Sequence, residues 1–183
     1  MRPTSAVFIV LVAVLVTTAC RRDAREGLTA EVHRTTPYAL EYPSYFPEPH
    51  IPASNPLTQE GIALGRRLYY DTLLSQNGPF EGFACATCHD QDRSFTVPTA
   101  GTNVLAHVNL AWSTHFLWNG KVTGTLEDVM RFEVEEFFQV DVAPLNAHPD
   151  YPALFQQAFG SSTITNDLVI KALAQWFRRM TSS

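Results

Sequence analysis

The chain reads as a mainly α-helical protein. After position 57, apolar residues recur at helical spacing, threonine caps and a glycine stop punctuate them, and no stretch alternates convincingly at period two. Thr58 is placed to cap a first helix through Tyr70, with Ile62, Gly65, Leu68 and Tyr69 along one side. Asn77-Gly78-Pro79 then breaks the chain before a short helix that carries Cys85 and Cys88. Thr125-Leu126-Glu127-Asp128 has the Thr-x-x-acid form of a capping box. The run after it puts Leu126, Val129, Val134 and Phe137 at helical spacing. Pro149 to Phe159 reads as a further helix stopped by Gly160. Thr165 caps the last one, where Val169, Leu173, Trp176 and Met180 form a stripe that Ile170 and Phe177 widen. Roughly 125 residues follow Pro56, enough for one domain with its own core.

Cys85-Ala86-Thr87-Cys88-His89 carries the most chemistry. Two thiols three positions apart lie on one side of a helical turn, so each can add across one haem vinyl group. The His that follows reaches the iron as an axial ligand. A thioredoxin-like Cys-x-x-Cys belongs in a βαβ unit, and none surrounds this one. A zinc ribbon needs a second cysteine pair, whereas the only other cysteine is Cys20. The expectation is a cytochrome c-like helical domain, residues 57–183, around one covalently bound haem c held by Cys85, Cys88 and His89.

The first 19 residues read as an export signal. Met1-Arg2 gives a positive start, and Ala6 to Val16 is an unbroken apolar run of eleven residues, too short for a membrane span of about 20. Small residues then precede Cys20, which resembles a bacterial lipoprotein signal cleaved before an acylated cysteine. Thr17 stands where such signals usually carry Leu, and ordinary secretory cleavage is the alternative. Either version exports the chain to the compartment where bacteria attach haem c, and the first anchors it to a membrane through Cys20. Residues 20–56 hold six of the twelve prolines and read as a semi-rigid tether. Tyr38, Tyr42, Tyr45 and Phe46 imply that part of it lies along the domain. A net charge of −5, with no basic cluster larger than Arg66-Arg67 or Arg178-Arg179, offers nucleic acid no surface.

The flanks of the haem motif resemble the N-terminal haem domain of the bacterial dihaem cytochrome c peroxidase and MauG family. Asn55-Pro56-Leu57-Thr58 and Gly61 to Asp71 match its opening segment, and Ser94-Phe95-Thr96 follows Cys85–His89 as its A-F-T does. Asn109-Leu110-Ala111-Trp112 and Leu117-Trp118-Asn119-Gly120-Lys121 resemble its N-L-A-W and F-W-D-G-R segments. Leu126-Glu127, Tyr151 to Phe155, Ala158-Phe159-Gly160 and Lys171 to Trp176 complete the match over residues 55–180.

The resemblance implies a peroxidase that reduces hydrogen peroxide with electrons from a small redox protein. It implies that Trp118 assists electron passage and that Asn103 helps bind a calcium, although Leu105 and Ala106 replace the family's Pro and Ser/Thr. The family's catalytic Glu falls at Gln139, which can hydrogen-bond peroxide but cannot take its proton. Glu135 and Glu136 are the nearby carboxylates that could substitute. Thirteen residues separate His89 from Asn103 with no His among them, so the loop that carries a distal His in some members is cut short. His107 and His115 are the alternatives for that ligand, while Met130 and Met180 fall on apolar helix faces. One Cys-x-x-Cys-His predicts one haem, where the family has a second haem domain. A monohaem electron-transfer cytochrome without peroxidase activity, or a half that needs a separate second haem domain, are the competing readings.

Overall fold

A computed structural model describes residues 33–97 and 104–182. The expected leader, Cys20 and Asn103 fall outside the described residues. Helix α1 (Gln59–Tyr70) is capped by Thr58, whose hydroxyl accepts from the Gly61 N–H at 3.0 Å. The haem-motif helix α2 spans only Cys85–Cys88. A small antiparallel hairpin follows, with β1 (His115–Phe116) against β2 (Val122–Thr123), His115 opposite Thr123. Then come α3 (Leu126–Arg131), a π-helical stretch Phe132–Phe137, α4 (Ala143–Ala147), α5 (Tyr151–Phe159) and α6 (Asn166–Arg179). The architecture is mainly α, as the periodicity predicts. None of the described helices is long and apolar enough to cross a membrane.

The core forms where α1 crosses α6. Glycines permit the close approach: a Cβ at Gly65 would run into the Ala172 carbonyl, and one at Gly61 into the Gln175 amide. Leu64, Leu68 and Tyr69 from α1 meet Val169, Ile170, Leu173 and Phe177 from α6 in one buried cluster. Met130 and Met180 belong to that cluster, as the apolar faces predict.

Two sequence expectations shift. The buried face of α1 runs through Gly61, Leu64, Gly65, Leu68 and Tyr69, and Ile62 is only half-buried. After α3, Phe138 is buried and Phe137 is exposed. There the Phe138 N–H bonds the Glu133 carbonyl at 2.8 Å, an i→i+5 closure that α-helical spacing does not describe.

Residues 33–56 run along the domain. The Trp112 indole N–H donates to the Pro47 carbonyl at 2.6 Å, with Tyr42 and Phe46 packed edge-on against its ring. Further along, Arg178, 1% exposed, forms a bidentate pair with Glu127 at 2.7 and 2.6 Å and donates to the His50 carbonyl at 3.2 Å. Asn55 donates to the same Glu127 at 2.7 Å and accepts from Gln175 at 2.8 Å. Every polar group of this buried cluster therefore finds a partner, as burial requires. The cluster ties residues 50–55 to α3 and α6.

Candidate haem-binding site

Helix α2 is a single turn closed by the His89 N–H on the Cys85 carbonyl at 3.0 Å, which sets both thiols and the imidazole on one small scaffold. Cys85 and Cys88 are half-buried thiols outside any disulfide. Burial, helped by the charge of Glu133, pushes the Cys85 thiol up to about 12.

The loop after α2 folds back onto His89. Ser94 and Phe95 both take left-handed backbone, with φ of 56° and 60°, an uncommon pair for residues with side chains. Asp90 and Thr96 bridge behind them. The turn brings the Phe95 carbonyl to 2.9 Å from His89 Nδ1. A carbonyl only accepts, so Nδ1 carries the hydrogen and Nε2 keeps its lone pair for a metal. Burial lowers the His89 pKa, with the Phe95 and Leu105 carbonyls acting the other way, so the neutral ligating form prevails near pH 7. Two thiols on one turn and an imidazole oriented through its other nitrogen fit haem c.

His107 lies flat on His89, with ring centroids 3.3 Å apart and planes 18° from parallel. His107, one of the two alternatives for a distal ligand, is thus set face to face with the His89 ring. Its Nδ1 is 3.1 Å from the Tyr69 hydroxyl, which in turn reaches the His89 carbonyl at 3.3 Å. Tyr69 is fully buried, and the sequence offered it only as a core residue. His115, the other alternative, is exposed on β1 with its Nδ1 3.1 Å from the Thr114 hydroxyl.

The remaining predicted residues separate. Trp118 sits in the hairpin turn between β1 and β2 and is 74% exposed. Gln139 is exposed, with a left-handed φ of 51°, at the end of the π-helical stretch. Glu135 pairs with Arg131 at 3.0 Å on the surface, and Glu136 is exposed. The acid that turns inward is Glu133, which sequence reasoning did not single out. Asn109 spends its amide on Ser182, donating to that hydroxyl and accepting from its N–H, both at 2.9 Å. Among the described residues, no group of three or more His, Cys, Asp or Glu could hold a metal ion.

A small helical domain with this turn defines a haem c protein. Residues 59–183 match the di-haem cytochrome c peroxidase family, and the chain belongs to it. It is 34% identical over 148 residues to the methylamine utilization protein MauG of Methylophilus methylotrophus, covering 72% of this chain and 43% of that protein. Against the MauG of Methylorubrum extorquens, identity is 35% over 154 residues, covering 73% and 41%. A crystal structure of a MauG-like protein associated with microbial copper homeostasis superposes with a TM-score of 0.68 at 28% identity, covering 79% of this chain and 47% of that one. The chain spans less than half the length of these relatives.

Proposed function

We propose that this chain carries the haem c centre of an exported peroxidase that reduces hydrogen peroxide with electrons from a small redox protein. The observation that supports it best is the α2 turn, where Cys85, Cys88 and a tautomer-fixed His89 converge. Haem c bound there supplies the redox-active iron at which peroxide is cleaved. Cys85 and Cys88 anchor it through thioethers, and His89 Nε2 ligates it. The Phe95 carbonyl, accepting the Nδ1–H, makes that imidazole a stronger donor. Trp118, on an exposed turn, receives electrons from the docked partner. Gln139 hydrogen-bonds peroxide. The same reading includes one haem per chain, a lipid anchor at Cys20, and a calcium near Asn103.

The test uses the full chain loaded with haem. The ferrous form should bind carbon monoxide, and the ferric form should react rapidly with peroxide. A six-coordinate low-spin spectrum in both redox states, inert to both ligands, would overturn the peroxidase reading in favour of a monohaem electron relay.

A further inference from the structure

The π-helical stretch Phe132–Phe137 lies against the haem-motif segment. The Phe80 ring, five residues before Cys85, stacks on Phe137 with centroids 4.3 Å apart and planes 17° from parallel. A Cβ on Gly78 would run into the Phe138 carbonyl, so backbone meets backbone there. Short π-helical insertions recur at functional sites. This one closes on Glu133 itself, through the Phe138 N–H at 2.8 Å.

Glu133 differs from its acidic neighbours. Arg131 is engaged by Glu135 at 3.0 Å and by Asp167 at 3.6 Å, and Asp167 also holds Lys171 at 2.8 Å. The Lys121 ammonium sits over the Phe132 ring, 4.7 Å from its centroid. Glu136 is exposed. Glu133 is half-buried and, among the described residues, makes no side-chain hydrogen bond or ion pair. Its charge bears instead on Cys85. A half-buried carboxylate without a partner is costly compared with an apolar residue at the same place. Burial also pushes this carboxyl up to about 7, near the optimum for a group that exchanges protons in neutral water.

We propose that Glu133 is the proton-carrying carboxyl of the haem pocket. This rests on the peroxidase reading above. In that reaction Glu133 takes the proton from the peroxide oxygen that meets iron and returns it to the oxygen that departs as water. The one-electron protein donor supplies two electrons and solvent supplies two protons, completing H2O2 + 2 H+ + 2 e− → 2 H2O. Glu133 ends as it began. The role thus sits six positions before Gln139, on the π-helical stretch that packs against Gly78 and Phe80 of the haem-motif segment.

The experiment compares haem-loaded wild type, Glu133→Gln, Glu133→Asp and the exposed control Glu81→Gln. It measures the peroxide reaction of the ferric form from pH 5 to 9 and the midpoint potential over the same range. Wild type should gain rate through an ionisation near neutrality, and its potential should depend on pH there. Glu133→Gln should lose about 100-fold or more in rate and flatten both profiles, with the resting spectrum unchanged. Glu133→Asp should keep part of the rate with a displaced profile, and Glu81→Gln should behave as wild type. If wild type ignores peroxide while Glu133→Gln still flattens the potential, the peroxidase reading falls and the proton-carrying role stands. If Glu133→Gln leaves rate and potential profiles as in wild type, the proposal is overturned. Should Glu133→Gln fail to take up haem, an undisplaced Glu133→Asp profile overturns it equally.

Discussion

Arg178→Met is the substitution whose cost the structure specifies most fully. It removes the partner of a largely buried carboxylate and leaves Glu127 with the Asn55 amide alone, while the His50 carbonyl loses its donor. Breaking a buried pair from one side costs about 3–5 kcal/mol. For a domain of this size each kcal/mol moves Tm by about 2–4 °C, so the melting point should fall by about 6–20 °C. Thermal unfolding of the haem-loaded protein at pH 7, followed by far-ultraviolet circular dichroism, reads this directly. The double variant Glu127→Gln with Arg178→Met removes both charges and should recover part of the loss. The pH dependence follows from the same contact. Burial pushes the Glu127 carboxyl up, but the Arg178 guanidinium and the Asn55 amide more than offset it, holding the group below its ordinary value of 4.5. Its contribution is therefore complete above about pH 4.5 and is lost as pH falls through the lower folded-state value. The Tm gap between wild type and Glu127→Gln should narrow below pH 4.5. A drop of under 3 °C for Arg178→Met, or a gap that widens in acid, would refute the assignment of this cluster as the clamp on residues 50–55.

Changing Cys85 and Cys88 together to Ser should release haem to acidified organic solvent, and retention would sink the thioether assignment. His107→Leu should destabilise the fold by about 0.5–1.5 kcal/mol, because it removes the imidazole partner of the buried Tyr69 hydroxyl; an unchanged denaturation midpoint would refute that contact. Gly65→Val should destabilise by about 1–3 kcal/mol, since its side chain meets the Ala172 carbonyl, and an unchanged denaturation midpoint would show the helices less tightly apposed. Trp118→Ala should change stability by no more than about 0.5 kcal/mol yet slow reduction by a protein donor; unaltered electron uptake would remove Trp118 from the path.

Much of the fold was legible because its long helices obey simple periodicity. Thr58 and Thr165 cap α1 and α6 as read. The α6 stripe is buried at Val169, Leu173 and Met180, with Trp176 half-buried at the edge. What failed were phases within a turn. Ile62 and Leu64 are both apolar, and only the α6 contact decides that Leu64 goes inside. The run from Glu133 to Glu136 offers three acids within about one turn, and a π closure rotates them by an amount no pattern announces. The His89 orientation was invisible for another reason, since its partner is a main-chain carbonyl on two left-handed residues, Ser94 and Phe95. The polar clamp around Glu127 joins positions up to 128 residues apart, beyond any local pattern.

That separation bears on how the molecule assembles. Residues 50–58 and 171–178 meet only after the chain between them has closed into one large loop, and loop closure costs entropy before any contact repays it. Inside the loop, the described residues between 71 and 124 form one four-residue α-helix, short 3-10 turns and two-residue strands, none of which is stable alone. The haem-bearing stretch thus inherits its order from the two ends of the domain. Amide hydrogen exchange should find it opening first. A lesion at Arg178, remote from His89 in sequence, should loosen the His89 to Phe95 turn as surely as a lesion beside it.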